Sequence, residues 1–176
     1  ARSAGGTVEF RGQKCKVRDL ATFDFKGVDV AFFSAGAERS RDHGWRAARA
    51  GALVVDNSSA FRMDPKVPLV VPEVNFHAAA AHQGIVSNPN CSTILLVVVL
   101  APIVRAARVR RVVVSTYQAV SGSGARGLAE LARQIEEERA GKPPRPEVYP
   151  VPIASNVIPF VQAFGEGAIT TEEWKM

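Results

Sequence analysis

Cys91 lies where a thiol could act as a nucleophile. It follows Asn90 and opens a long apolar segment, which predicts a position at the amino end of a helix. At such a position the unpaired backbone N–H groups and the positive end of the helix dipole favour the thiolate. A free cysteine is also a common small core residue, so the position by itself leaves a nucleophile and a buried filler equally open.

Cys15 has a different setting. It lies in the charged stretch 11–18, which predicts a strand of a surface hairpin and a structural role for the thiol. Two cysteines in such different places predict neither a disulfide framework nor a metal cluster.

Other polar side chains follow the ends of apolar runs. Gln118 and Ser121 lie where an apolar run meets a glycine loop, the usual place for ligand contacts in a parallel sheet; turn formation is the alternative. Arg62 could hold a carboxylate or phosphate, because its guanidinium meets two oxygens at once; a solvated arginine is the alternative. The histidines lack metal-ligand spacing, so we expect no metal and surface positions for His43, His77 and His82.

A parallel, doubly wound sheet would position these residues. The apolar runs predict strands at 28–33, 52–55, 69–71, 84–86 and 111–120, of which the last is the clearest. Helices are predicted at 38–50 and 91–107, with a kink at Pro102. A third helix is predicted after Gly124, with one apolar face made by Leu128, Leu131 and Ile135. Such alternation of strand and helix is typical of α/β folds, in which the carboxyl ends of the strands bind ligands. The proline-rich stretch 141–152 predicts an extended connection.

Composition limits the class of protein. At 176 residues and 47% hydrophobic, the chain has enough material for one domain or for parts of two. The longest apolar run, 94–104, is too short to span a membrane, so we expect a soluble, cytoplasmic protein without a membrane partner. Basic residues are spread along the chain and aromatic residues make up only 7%, so the net charge of +5 indicates small anionic ligands rather than nucleic acid.

Seven sequence blocks occur in an order that resembles the aspartate-semialdehyde dehydrogenase family, nearly from end to end. The blocks are Phe33-Ser34-Ala35-Gly36, Asp56-Asn57-Ser58-Ser59-Ala60-Phe61-Arg62-Met63-Asp64, Val70-Val71-Pro72-Glu73-Val74-Asn75, Asn88-Pro89-Asn90-Cys91-Ser92-Thr93, Ser115-Thr116-Tyr117-Gln118-Ala119-Val120-Ser121-Gly122, Asn156-Val157-Ile158-Pro159 and Glu172-Glu173-Trp174-Lys175-Met176. Seven ordered blocks are far more specific than any one of them.

The resemblance implies an activity. Family members interconvert L-aspartate 4-semialdehyde and 4-aspartyl phosphate with NADP and inorganic phosphate, in lysine, threonine and methionine biosynthesis. It implies that Cys91 is the nucleophile and that a thioester divides the reaction into two easier steps. It also implies a later part of a Rossmann-like domain at 1–88, joined to the first part of an α+β catalytic and dimerisation domain at 89–176, in a homodimer.

Further roles carry over by position. Gln118 matches the glutamine that helps orient the reacting intermediate. The substrate and phosphate residues implied are Arg62, Asn90, Glu172 and Lys175. The cofactor-binding residues implied are Arg2, Ser3, Ser34, Ala35, Gly36, Ser58 and the turn from Ser121 and Gly122 to Gly124. Glu172 and Lys175 stand three apart, on one face if the segment is helical.

Parts of the family's machinery are not among these residues. The resemblance places a glycine-rich phosphate loop before Ala1 and a catalytic histidine and substrate arginine after Met176, so we expect an internal section of a longer polypeptide, inactive by itself. Two alternatives stay open. One is a related acyl-phosphate reductase, such as N-acetyl-glutamyl-phosphate reductase or glyceraldehyde-3-phosphate dehydrogenase, whose cysteine contexts differ from Asn90-Cys91-Ser92. The other is a non-catalytic folding or dimerisation piece.

Overall fold

The chain forms two compact units, Ala1–Val109 and Arg110–Met176. The computed structural model describes residues 3–160 and 163–175, apart from the side chains at positions 166 and 175. The domain boundary expected after position 88 stays a prediction.

A short hairpin opens the first unit. Strands β1 (Thr7–Phe10) and β2 (Gln13–Lys16) are antiparallel, with Val8 opposite Cys15. The two residues between them, Arg11 and Gly12, have φ values of 50° and 75°. Positive φ at both turn positions suits the right-handed twist of a two-residue hairpin. The predicted surface hairpin is confirmed, and Cys15 is exposed on it.

Three parallel strands form the sheet, in the order β3 (Val30–Phe33), β4 (Leu53–Asp56) and β5 (Ile85–Ser87). Phe33 pairs with Asp56 and Asp56 with Ser87, so all three strands end at the same level. Helix α1 (Ala37–Arg49) joins the first two strands. The predicted parallel sheet is therefore confirmed, with its carboxyl ends along one edge.

The core of the first unit lies where α1 meets the sheet. Its buried side chains come from the segment before β3, from all three strands, from α1 and from the loop after β4, and include Phe25, Phe33, Ala47, Val54, Phe61 and Ile85. Gly44 of α1 lies against Phe61, because a Cβ at position 44 would stand 3.0 Å from Phe61 Cε2. An added side chain there would require the Phe61 ring or α1 to shift by a few tenths of an ångström. His43, on the same helix, is half-buried rather than at the surface, whereas His77 and His82 are exposed as expected.

Helical elements complete the first unit, among them the 3-10 helix Phe76–Ala81. The strand predicted at 69–71 is reduced to one bridge, from Leu69 to Ser87, because Pro72 then starts the short helix α2 (Pro72–Asn75). Helix α3 (Cys91–Ala106) confirms the predicted apolar helix and continues through Pro102. Among the described residues, no helix has both the length and the apolar composition that a membrane crossing requires.

The strand predicted at 111–120 is wrong. Residues 108–119 have no regular structure and are exposed, and within the described chain no other segment pairs with them. The β-branched run gives this stretch strand propensity, but a strand also needs a neighbour whose backbone groups complete the ladder.

Helix α4 (Gly124–Arg139) forms where a helix was predicted but buries a different face. Its buried residues are Gly127, Glu130 and Gln134, whereas Leu128 is exposed. Leu131 and Ile135 are half-buried, so the predicted apolar face is only partly covered. The described partner is the irregular segment 142–154, and it presents backbone N–H and C=O groups that polar side chains must satisfy.

Gln134 connects α4 to this segment with every polar atom of its side chain. Its Oε1 accepts from the backbone N–H groups of Ile153 at 2.8 Å and Ala154 at 3.0 Å. Its Nε2 donates to Glu130 Oε1 at 2.9 Å and to the Arg145 carbonyl at 2.9 Å. Gln134 is fully buried, so these bonds replace water completely. The predicted proline-rich connection is thus irregular but held at several points.

Acid should loosen this contact between α4 and segment 142–154. Burial raises the pKa of Glu130, but the backbone N–H donors of Val148 and its neighbours, with Arg133, outweigh burial and lower it. The N–H of Arg145 and then the Arg133 side chain lower the pKa of Glu137. A carboxylate with a lowered folded pKa stabilises the fold above its unfolded value, and that contribution is lost as the pH falls through the folded value. We expect the Arg145 and Val148 amides to lose hydrogen-exchange protection from about pH 5 downwards, after correction for the intrinsic exchange rate. Constant protection down to about pH 3 would contradict the assignment.

Candidate active site

Polar side chains follow each strand of the parallel sheet at its carboxyl end. Ser34 comes directly after β3, Asn57 after β4 and Asn88 after β5. The Asn57 N–H donates to the Phe33 carbonyl at 2.7 Å, and the Asn88 N–H donates to the Asp56 carbonyl at 3.2 Å. These backbone bonds extend the ladder past the strands and bring the three polar residues side by side, at the edge where ligands bind in parallel sheets.

A buried carboxylate lies beneath this edge. Asp56 is fully buried at the end of the central strand. It accepts hydrogen bonds from Ser40 Oγ of α1 at 2.6 Å and from Ser58 Oγ at 2.9 Å. Ser58 Oγ also accepts from the Ala60 N–H at 3.0 Å. Asp56 therefore fixes both the helix and the loop that follow the first two strands, and the Ser58 hydroxyl faces this buried cluster.

Cys91 is the first residue of α3, as the sequence predicted. Asn90 caps the helix, with its Oδ1 accepting from the Thr93 N–H at 2.8 Å and from the Thr93 hydroxyl. The cap is 4% exposed, whereas Cys91 is exposed. The buried amide thus fixes the start of the helix, and the thiol stands at the positive end of its dipole with access for a substrate.

Removing the cap should loosen the first turn of α3. Asn90→Ala deletes the acceptor of the Thr93 N–H, and such a loss costs about 1 kcal/mol. We expect the Thr93 amide to exchange about fivefold faster in the full-length protein. Asn90→Asp keeps an acceptor and is the matched control, so similar exchange in the alanine and aspartate variants would show that the cap does not stabilise this turn.

Arg62 is held against the segment that leads to the nucleophile. Its Nε donates to the Asn88 carbonyl at 3.0 Å, and the side chain is half-buried. The contact brings a permanent positive charge to the loop that carries Asn90 and Cys91. A guanidinium fixed in this way is suited to the carboxylate or phosphate of a small anionic substrate.

An exposed turn links β3 to α1. Ser34, Ala35 and Gly36 are exposed, and Gly36 has a φ of 94° at the N-cap of the 13-residue α1. A Cβ at Gly36 would meet no atom within 4 Å, so the positive φ, rather than crowding, favours glycine there. Gly36 has no side chain to cap α1, so the first N–H groups of the helix face this turn and could receive an anionic group.

Two family models match the chain. Residues 1–82 match the semialdehyde dehydrogenase NAD binding domain, and residues 100–176 match the semialdehyde dehydrogenase dimerisation domain. The chain belongs to the semialdehyde dehydrogenase family. The resemblance that the seven blocks indicated is therefore confirmed.

Relatives in this family extend the match over the whole chain. Aspartate-semialdehyde dehydrogenase of Legionella pneumophila is 46% identical over 178 residues, which cover 100% of this chain and 51% of that protein. The Aquifex aeolicus protein of the same name is 47% identical, over 99% of this chain and 53% of its own. The chain thus spans about half the length of the curated relatives that it matches.

Solved structures of the family confirm the fold class. The crystal structure of aspartate semialdehyde dehydrogenase II from Vibrio cholerae, complexed with ASA, has a TM-score of 0.96 at 44% identity, covering 99% of this chain and 53% of that one. A probable aspartate-semialdehyde dehydrogenase from Pseudomonas aeruginosa has a TM-score of 0.92 at 33% identity, with 99% and 53% covered. This semialdehyde dehydrogenase chain is α/β, with a Rossmann-like parallel sheet and a dimerisation domain.

The structure gathers some of the predicted site residues in the first unit. Ser34, Ala35, Gly36, Ser58, Arg62, Asn90 and Cys91 all follow the carboxyl ends of the three parallel strands. Ser3 lies in an exposed turn before the hairpin, and Arg2 lies outside the described residues.

The remaining predicted residues belong to the second unit. Gln118 is exposed, with its Nε2 3.5 Å from Thr116 Oγ1. Ser121 and Gly122 lie in the 3-10 turn Val120–Ser123, whose Ser123 Oγ accepts from the Tyr149 hydroxyl at 2.7 Å. Glu172 is buried just before the 3-10 turn Glu173–Lys175. The Lys175 side chain lies outside the described residues, so whether it shares a face with Glu172 stays a prediction.

Sequence reasoning gave no role to Asp56, Asn57 or Asn88. All three stand at strand ends of this semialdehyde dehydrogenase sheet. A polar residue at the end of an apolar strand is the sequence signal that could have identified them. Their pairing depends on the register between strands, which the sequence does not contain.

Proposed function

We propose that this chain is the nucleophile-bearing part of an aspartate-semialdehyde dehydrogenase. The reaction is the reversible, NADP-dependent, phosphorylating oxidation of L-aspartate 4-semialdehyde to 4-aspartyl phosphate, in lysine, threonine and methionine biosynthesis. The observation that carries the proposal is Cys91, an exposed thiol on the first residue of α3, behind a buried cap and beside the loop that Arg62 contacts.

The helix start suits a covalent reaction. The Cys91 thiolate bonds to the aldehyde carbon, and the aldehyde oxygen takes up a proton. When hydride leaves that carbon, the oxygen releases the proton and a thioester remains. A phosphate oxygen then attacks the thioester carbon, the C–S bond breaks, and Cys91 returns to the thiolate as 4-aspartyl phosphate leaves. The positive helix end stabilises the thiolate before attack and after release.

Other side chains hold the reacting groups. Arg62 binds the substrate anion and phosphate, since it supplies a fixed guanidinium. The resemblance assigns Asn90, whose amide is the buried cap of α3, to the same group. Gln118 orients the reacting intermediate. Glu172 and Lys175 bind the substrate amino group and phosphate. The last three roles rest on the resemblance and the family match.

The exposed turn after β3 fits a nicotinamide dinucleotide. NADP supplies the hydride acceptor of this reaction. Ser34, Ala35 and Gly36 would contact it at the sheet edge, where the uncapped start of α1 faces outward. Ser58 would act from the loop after β4. The turn Ser121–Gly124 is assigned to the cofactor by the resemblance alone. Arg2 and Ser3 would face the adenosine 2′-phosphate and so distinguish NADP from NAD.

The whole protein is proposed to be a cytoplasmic homodimer, in which residues 1–88 form the later part of the cofactor-binding domain and residues 89–176 the first part of the catalytic and dimerisation domain. The match to the dimerisation domain supports the dimer. The 176-residue chain by itself is proposed to have negligible turnover, because the general acid–base histidine that the family uses is not among these residues.

A substrate comparison on the full-length protein tests this function. With L-aspartate 4-semialdehyde and NADP, we expect NADPH formation that depends on inorganic phosphate. N-acetyl-glutamate 5-semialdehyde should be at least about a hundredfold poorer, because its acetylated nitrogen carries no charge for the residues proposed to bind the substrate amino group. The reverse preference would favour N-acetyl-glutamyl-phosphate reductase. No NADPH formation with either substrate would favour a non-catalytic piece.

A further inference from the structure

The three strand ends carry a continuous series of side-chain hydrogen bonds. Asn57 Nδ2 donates to Ser34 Oγ at 3.2 Å, and Asn88 Nδ2 donates to Asn57 Oδ1 at 2.8 Å. Asn88 Nδ2 also donates to the Pro89 carbonyl at 3.2 Å. The series therefore runs across the sheet from the turn after β3 to the residue two positions before Cys91.

The chemistry of the donors and acceptors fixes the direction of this series. The Pro89 carbonyl only accepts, so the Asn88 amide must turn its NH₂ group towards Pro89 and Asn57. Asn57 must then present its oxygen to Asn88, which leaves its NH₂ group for Ser34. The Ser34 hydroxyl accepts, because a hydroxyl can do either. One orientation of both amides satisfies all three contacts.

Each end of the series touches a part of the proposed site. Ser34 belongs to the turn proposed to contact the cofactor. At the other end, the Asn88 carbonyl accepts from Arg62 Nε, and Pro89 and Asn90 lead directly into Cys91. Asn57 lies between the two and bonds to both. An exposed amide could be solvated by water instead, yet here both of its polar atoms are directed along the sheet edge.

We propose that Asn57 and Asn88 are positioning residues that couple the cofactor side of the sheet, at Ser34, to the loop that carries Cys91. The hydrogen bonds of this series do not depend on the proposed function, but the effect of the coupling on catalysis rests on it. Neither amide is a catalytic residue. They act through Ser34 and through the backbone before the nucleophile, so that movement of one strand end is transmitted to the next.

Variants of these residues should fold. The backbone bonds from Asn57 to Phe33 and from Asn88 to Asp56 keep both residues at the ends of their strands without the side chains. Asn57→Ala and Asn88→Ala therefore remove only the side-chain series. Ser59→Ala is the matched control, because Ser59 is exposed in the same loop.

The first readout is the rate at which iodoacetamide alkylates Cys91 in the full-length protein without cofactor. Because the loop before Cys91 loses a restraint, Asn57→Ala and Asn88→Ala should each change this rate by about threefold or more. Ser59→Ala should leave the rate within about 1.5-fold. Unchanged rates in both asparagine variants would overturn the proposal, whether or not the protein oxidises the semialdehyde.

The second readout is a mutant cycle in kcat/KM for NADP. Ser34 and Asn88 are linked through Asn57, so Ser34→Ala and Asn88→Ala should be non-additive by about threefold or more. In an Asn57→Ala background, the effects of these two substitutions on kcat/KM should combine multiplicatively to within about 1.5-fold. Additive losses in both backgrounds would overturn the coupling. If the unmodified protein does not oxidise the semialdehyde with NADP, the proposed function is refuted instead. The alkylation rates would then still test whether Asn57 and Asn88 restrain the loop before Cys91.

Discussion

In the full-length protein, Cys91→Ser should lower the NADP-dependent oxidation of L-aspartate 4-semialdehyde by about a thousandfold or more. The helix start after Asn90 can favour a thiolate, but a serine hydroxyl at the same place remains protonated near neutral pH and is a much poorer nucleophile. Its ester would also be less readily cleaved by phosphate than the thioester. The loss should appear in kcat, measured as NADPH formation at saturating substrate and phosphate.

Cys15→Ser is the matched control for this change. Cys15 is exposed on β2 of the hairpin, where its thiol has no role in the proposed site. This variant should keep kcat within about twofold of the unmodified protein. Substantial oxidation by Cys91→Ser, at a rate near that of Cys15→Ser, would exclude the covalent mechanism and remove the main support for the proposed function.

The sequence predicted the location of Cys91 well because local signals and the fold agree there. An asparagine before an apolar run is a helix cap in sequence and in structure. The parallel sheet was also predictable, since its short apolar strands alternate with a loop and a helix. The three strands are parallel, so the polar residues that follow them share one edge of the sheet.

Residues 111–120 show where such signals fail. Their run of valines has strong strand propensity, yet these residues are exposed and pair with no other segment that the structure describes. Propensity is a statement about how side chains fit a sheet, and the sheet itself requires a second strand from elsewhere. A local pattern cannot say whether that neighbour is present.

The side-chain contacts at the sheet edge were also beyond the sequence. Asn57 and Asn88 are separated by 31 positions, and only the level ends of β4 and β5 place their amides 2.8 Å apart. A shift of one residue in the register would have turned one of them to the other face of the sheet. The sequence could therefore supply polar candidates, while the register decided which of them meet.

Helix α4 supplies the second large expected effect, Gln134→Leu. The substitution roughly conserves volume and replaces a polar side chain with an apolar one, yet it should destabilise the second unit. The buried N–H of Ala154, the half-buried N–H of Ile153 and one oxygen of Glu130 would lose a partner. The exposed Arg145 carbonyl would lose one donor but keep Arg133. Each unsatisfied buried group costs on the order of 1–3 kcal/mol, and with local relaxation we expect a total of about 3 kcal/mol.

Hydrogen exchange at the Ile153 and Ala154 amides in the full-length protein measures this loss of stability at each residue. It does not require a single free energy of unfolding for a chain that has two units. About 3 kcal/mol corresponds to about a hundredfold faster exchange. Glu136→Leu is the matched control on the same helix, because Glu136 is exposed and its ion pair with Arg139 at 2.7 Å contributes little. If Gln134→Leu left both amides as protected as Glu136→Leu does, segment 142–154 would be held on α4 by apolar packing. The buried polar side chains of α4 would then contribute little to the stability of this contact.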